Sequence, residues 1–165
     1  CHRPQVNLVV TKKKQKWQAG DVFAIQLADK RYAIGQVLDL QMPNVVRCAF
    51  FDMAYTTIDV PTLCKDVCEE NLISLVATSR EQLDHHVWQV VGTCKIFIGV
   101  EMYPNEATRS SGWVGSVMYD AAIVEDFLNA FHGLAYWDDW ADPNFLDELL
   151  IDVAKKPTSL RYKRQ

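Results

Sequence analysis

Five cysteines and four histidines are the side chains in this sequence best suited to metal binding or nucleophilic chemistry. Cys64-x-x-x-Cys68 has the spacing of half a zinc site. A structural zinc needs a second close pair to complete four ligands. Cys48, Cys94, His85 and His86 do not supply one. The cysteines are odd in number and irregularly spaced, so they read as ordinary buried or half-buried thiols in a reducing compartment. His85 and His86 precede a predicted strand, where neighbouring rings point to opposite faces. A nucleophilic pairing of Cys94 with a histidine has no local support. Nucleophile elbow, phosphate-cradling glycine loop and His-Glu-x-x-His motif are all absent. Adjacent carboxylates such as Asp138-Asp139 and Asp147-Glu148 are too common in an acidic chain to assign acid–base roles. The expectation is therefore no catalytic residue, no metal, no cofactor and no enzyme.

Recognition chemistry is better represented. Between Ser110 and Ala154 there are 45 residues with nine acids and no Lys or Arg. Aromatic residues interleave with these acids, most densely at Tyr136-Trp137-Asp138-Asp139-Trp140. Interfaces are enriched in Trp and Tyr anchors, and an acidic rim attracts a basic partner. The candidate partner-binding residues are Trp137, Asp138, Asp139 and Trp140, with Glu125 and Asp126 as the adjoining helix face. The tryptophans have a second reading, in which they pack the corner after the helix against the sheet. Asp142 doubles as a helix cap.

Charge along the 165 residues is segregated in the same sense. Residues 1–16 hold five basic and no acidic residues, and so do residues 155–165. The body, 17–154, holds seven basic against 21 acidic residues, a net of −14. An acidic body disfavours nucleic acid, whose phosphates need Lys and Arg on the folded face, and favours a basic protein. No apolar run approaches the roughly 20 residues that span a bilayer. The polar, lysine-rich stretch from Cys1 to Trp17 lacks a signal-peptide pattern, and a start at Cys rather than Met suggests a processed or trimmed end. These features place the chain in the cytoplasm, away from membranes.

The elements that must position these residues follow from periodicity. A basic leader over 1–16 carries a short predicted strand at Val6–Val10. Phe23, Ile25 and Leu27 alternate after Gly20-Asp21, giving one strand, and Arg31–Leu40 gives its hairpin partner with a bulge at Gly35. A third strand covers Val45–Phe51, and further strands are expected at Leu72–Ala77, Val87–Val91 and Lys95–Val100. Thr56–Pro61 reads as an extended edge, and Ser79 with Gln82 as a capping box opening one helical turn. Helical spacing then appears over Val117–His132, closed by Gly133. Asp142-Pro143 predicts a second helix with the stripe Phe145, Leu146, Leu149, Leu150 and Val153. The predicted fold class is α+β: one domain over 17–154, built from a curved, mainly antiparallel sheet or small β-barrel followed by two C-terminal helices, with a basic tail over 155–165.

The hairpin Gly20-Asp21-Val22-Phe23-Ala24-Ile25-Gln26-Leu27 with Arg31-Tyr32-Ala33-Ile34-Gly35-Gln36-Val37-Leu38 resembles the immunity protein 26 family of bacterial polymorphic toxin systems. Its third strand, Ala49-Phe50-Phe51-Asp52, and the strand with Trp88 are compatible with that pattern. The resemblance implies a cytoplasmic toxin-neutralising protein that binds and blocks a cognate, basic toxin. It carries no binding residues over. The Gly-Asp-Val opening is also similar, less closely, to small-barrel ribonuclease toxins, but the expected arginine-proline continuation is absent and the body has the wrong sign for RNA. An intracellular ligand-binding domain is the remaining alternative.

Overall fold

The computed structural model describes residues 13–164; the strand expected at Val6–Val10 lies outside them. Five antiparallel strands run β1 (Asp21–Gln26), β2 (Tyr32–Met42), β3 (Val45–Tyr55), β4 (Leu72–Ser79) and β5 (Gln89–Thr93) along the chain. In space their order is β4-β3-β2-β1-β5. The sheet is open, so the small-barrel alternative is corrected: β4 and β5 are edges and do not pair with each other.

Alternation in β1 sends side chains to both faces, and both faces are buried. Phe23 and Ile25 join Val37, Phe50 and Trp88 on one face, under helix α3 (Ala121–Phe131). Val22 and Ala24 join Ile34, Leu38 and Phe51 on the other, under helix α1 (Val60–Asp66) and the segment through Ile98 and Tyr103. α3 contributes Val124, Phe127 and Leu128, all fully buried, each worth about 1.5–3 kcal/mol of apolar transfer. On this face the Phe23 ring stacks on Trp88 at 5.3 Å. A Cβ on Gly35 would lie 2.4 Å from the Phe23 ring. The residue is glycine because the aromatic stack occupies that space, and the β2–β3 register shifts beside it.

Several expectations change. Among the described residues, no second long helix follows α3. Phe145–Leu149 is a 3₁₀ turn, and Val153–Lys155 a second one. Leu150 is extended because the open edge of β4 captures the chain there. The Ile151 N–H donates to the Ile73 carbonyl at 2.9 Å, and the Ser74 hydroxyl donates to the Leu149 carbonyl at 2.6 Å. Edge groups left unpaired would be costly when buried, and this pairing satisfies them.

Lys95–Val100 forms no strand and leads into a 3₁₀ turn at Val100–Met102. The end of the expected extended edge, Val60-Pro61, starts α1, which Asp59 caps by accepting from the Thr62 backbone N–H at 3.3 Å. Ser79 ends β4 and does not cap; the short helix α2 (Glu81–Asp84) starts from Arg80 without a side-chain cap.

The reading of all cysteines as free thiols is also corrected. Cys64 of α1 and Cys94, just after β5, form a disulfide. They meet because α1 packs against β5, a contact invisible in their spacing of 30 residues. Cys48 and Cys68 remain free. No helix among the described residues is long and apolar enough to cross a membrane.

Residues on either side of 17–154 also pack against this unit. Gln15 is buried: its side-chain N–H group donates to the Leu83 and Trp88 carbonyls at 2.8 and 2.9 Å, and its oxygen accepts from the Val90 N–H at 3.0 Å. Beyond Ala154, Leu160 is buried in the α3-side core.

Candidate functional site

The densest part of the acidic, aromatic stretch follows the end of α3. Gly133 takes φ +76°, which glycine adopts without cost, and the Leu134 N–H closes the turn on the Asn129 carbonyl at 2.8 Å. The chain then runs through Tyr136–Trp140 alongside the C-terminal segment. Tyr136 and Arg161 form a parallel β-bridge, and the Trp137 N–H donates to the Arg161 carbonyl at 2.8 Å.

The six expected binding residues separate into two groups. Trp137 is 1% exposed and packs on Phe127, with ring centroids 5.7 Å apart. Its indole N–H donates to the Asp147 carboxylate at 2.7 Å. Asp138 is 4% exposed, and its two oxygens accept from the backbone N–H groups of Lys163 (2.6 Å) and Arg164 (2.9 Å). Those donors, the Lys163 N–H above all, hold its carboxyl below the usual carboxylate range. Glu125 is half-buried and accepts from the Trp88 indole at 3.0 Å and the Gln82 amide at 2.9 Å, tying α3 to the aromatic core. Trp137 and Glu125 tie parts of the fold together, and Asp138 binds the C-terminal segment.

Asp126, Asp139 and Trp140 come together at the surface. With Ala135 and Tyr136 they line a pocket of about 170 Å³. The Asp139 side chain is 56% exposed and pairs with Lys163 Nζ at 3.1 Å. Trp140 leans on Phe145 with centroids 4.9 Å apart, which fixes one wall. Partial burial and the neighbouring Glu125 carboxylate push the Asp126 carboxyl above its usual range. A site with two carboxylates and two aromatic rings favours a cationic guest, through charge and through the negative faces of the rings.

Sequence reasoning missed the basic tail. The Arg161 guanidinium lies 4.9 Å from the centre of the Tyr136 ring, and Arg164 donates to the Trp140 carbonyl at 3.3 Å. Lys156 pairs with Asp147 at 2.9 Å and lies 5.7 Å from the Trp137 ring centre. The signal was present as a basic run following an acidic stretch, but charge complementarity within one chain does not specify contact.

A second polar cluster is structural. The fully buried Arg47 donates to Asp39 at 2.6 and 2.5 Å and to Glu106 at 2.6 Å. Its guanidinium lies about 5 Å from the centres of the Tyr103 and Trp113 rings. It fastens the irregular 99–119 segment to the sheet. Among the described residues, no group of three or more His, Cys, Asp or Glu side chains is placed to hold a metal ion. Comparison of the chain with protein-family models, with characterised proteins and with solved structures finds no significant match.

Proposed function

We propose that this chain is a binding protein that neutralises a basic toxin, docking it through the pocket of Asp126, Tyr136, Asp139 and Trp140. One observation carries the reading: two carboxylates and two aromatic rings line one surface pocket within a segment free of Lys and Arg. Such a pocket accepts a lysine or arginine side chain of a protein partner. The net negative charge of residues 17–154 speeds encounter with a basic surface. The likeness of the β1–β2 hairpin to the immunity protein 26 family makes a toxin the partner of choice and the cytoplasm the place of action. On this reading the chain inhibits by occlusion and needs no catalytic group, cofactor, nucleic acid or membrane.

Co-purification with the products of neighbouring genes, repeated at low and high salt, tests the proposal. The expected result is a stoichiometric complex with a basic protein whose association slows about tenfold on raising salt or introducing Asp126→Lys with Asp139→Lys. A complex that forms equally well with both substitutions excludes this pocket, and no complex at either salt excludes the function.

A further inference from the structure

The C-terminal residues already present to the pocket the chemistry expected of a partner. Residues 161–164 are all exposed and contribute nothing to either core, whereas Leu160 just before them is buried. They lie against the acidic segment by contacts of two kinds. Main-chain contacts come first: the Arg161 carbonyl accepts from Trp137, and the Lys163 and Arg164 N–H groups donate to Asp138. Any extended peptide can make these, whatever its side chains. Side-chain contacts supply the charge preference: Arg161 on Tyr136, Lys163 on Asp139 and Arg164 on the Trp140 carbonyl. Of these only Lys163–Asp139 is an ion pair, and being exposed it is weak and screened by salt. The segment is therefore held chiefly by its main-chain bonds, two of them to the buried Asp138 carboxylate, which any strand replacing it must make again.

We propose that residues 161–164 are a cis-bound stand-in for an extended, basic segment of the partner, which takes their place along Tyr136–Trp140 when it docks. The inference rests on the pocket being the partner site, as proposed above. It adds the form of the ligand, a strand with basic residues at alternate or adjacent positions. It also adds a competition: with the tail bound, apparent affinity for such a segment falls by the fraction of time the site is free. Tail release opens the Asp138 carboxylate as well as the pocket, so the full site is larger than the 170 Å³ cavity.

The probe is a fluorescent synthetic peptide of residues 159–164, titrated by anisotropy into three proteins. These are the native chain, the full-length Lys163→Glu/Arg164→Glu chain and a chain ending at Leu160. The shortened and charge-reversed chains are expected to bind the peptide at least about tenfold more tightly than the native chain. Added salt weakens that binding, and Asp139→Lys in the charge-reversed background removes it. Equal binding to all three proteins, or binding to none, overturns the proposal. Should the shortened chain fail to fold, the charge-reversed full-length chain decides alone. Toxin capture without peptide exchange would remove only the cis-competition. Peptide exchange without any captured protein would instead remove the toxin.

Discussion

Glu125 and Asp126 are neighbours on α3 with opposite duties. Glu125 accepts from the buried Trp88 indole, whereas Asp126 faces the pocket. Removing an acceptor strands the buried Trp88 donor, which costs about 1–3 kcal/mol. Glu125→Ala should accordingly lower the urea midpoint and leave partner affinity unchanged. Asp126→Ala should leave the midpoint near that of the native chain and weaken partner binding. Chemical denaturation and a binding titration of both variants check the pair, and a reversal of the two patterns would reassign both residues. Residue type alone could not separate them, because helical spacing puts both beside the apolar stripe and only the position of Trp88 gives one of them a partner. Asp138 and Trp137 show the same limit. Their composition is that of an interface, yet one receives two backbone N–H groups and the other packs on Phe127.

At the scale of elements, legibility followed periodicity. β1, β2 and α3 carry clean alternation or helical spacing and appear close to where their patterns place them. The irregular parts were decided by tertiary pairing. The 145–151 segment has a helical stripe, but the open β4 edge binds it as an extended chain at Leu150 and Ile151. The 99–119 segment lacks a period altogether, and Arg47 organises it from the opposite side of the sequence. Its hydrogen-bond partners Arg109 and Arg47 hold the Glu106 carboxyl down to about 2, from an ordinary 4.5. A depressed carboxyl contributes stability that is complete above its unfolded value and lost as pH falls through its folded one. Tightening by Glu106 should therefore be intact above pH 4.5 and fade toward about 2. Hydrogen exchange across 99–119 should accelerate in that window before exchange in β2 and β3 does. Glu106→Gln should show the fast exchange already at neutral pH. Uniform acceleration of the loop and the sheet would contradict this account of the segment.

Across the whole molecule, two features act at long range. The Cys64–Cys94 disulfide closes a loop of 30 residues. Chain entropy assigns such a loop roughly 3–4 kcal/mol of stabilisation. Reduction, or Cys64→Ser with Cys94→Ser, should lower unfolding free energy by that amount. The sheet, buried on both faces, should still fold, since nearly all the side chains filling its two cores lie outside the crosslinked pair. Urea titration with and without reductant gives the value, and loss of all structure on reduction would show the fold to be disulfide-dependent. That distinction matters for the proposed setting, because disulfides persist mainly in oxidising compartments.

The second feature is the segregation of charge, which was legible as composition but not as architecture. By composition the chain is an acidic body with a basic leader and a basic tail, whose placement the sequence leaves open. In the structure the C-terminal tail folds back across the acidic segment, and Gln15 is buried and bonded to the Leu83 and Trp88 carbonyls. Long-range attraction to a basic partner and short-range attraction to the tail therefore draw on the same carboxylates. Partner binding and tail docking should respond in parallel to salt, because both are screened over the same distance, about 10 Å at 0.1 M.

The most direct measurement is amide chemical-shift mapping of the isotope-labelled chain as its co-purified partner is added. The account predicts the largest changes at Tyr136–Trp140, at Asp126 and along residues 161–164, with the 99–119 segment unaffected. Changes centred on 99–119 or on α1, with Tyr136–Trp140 silent, would contradict the assignment of the acidic, aromatic pocket as the binding site.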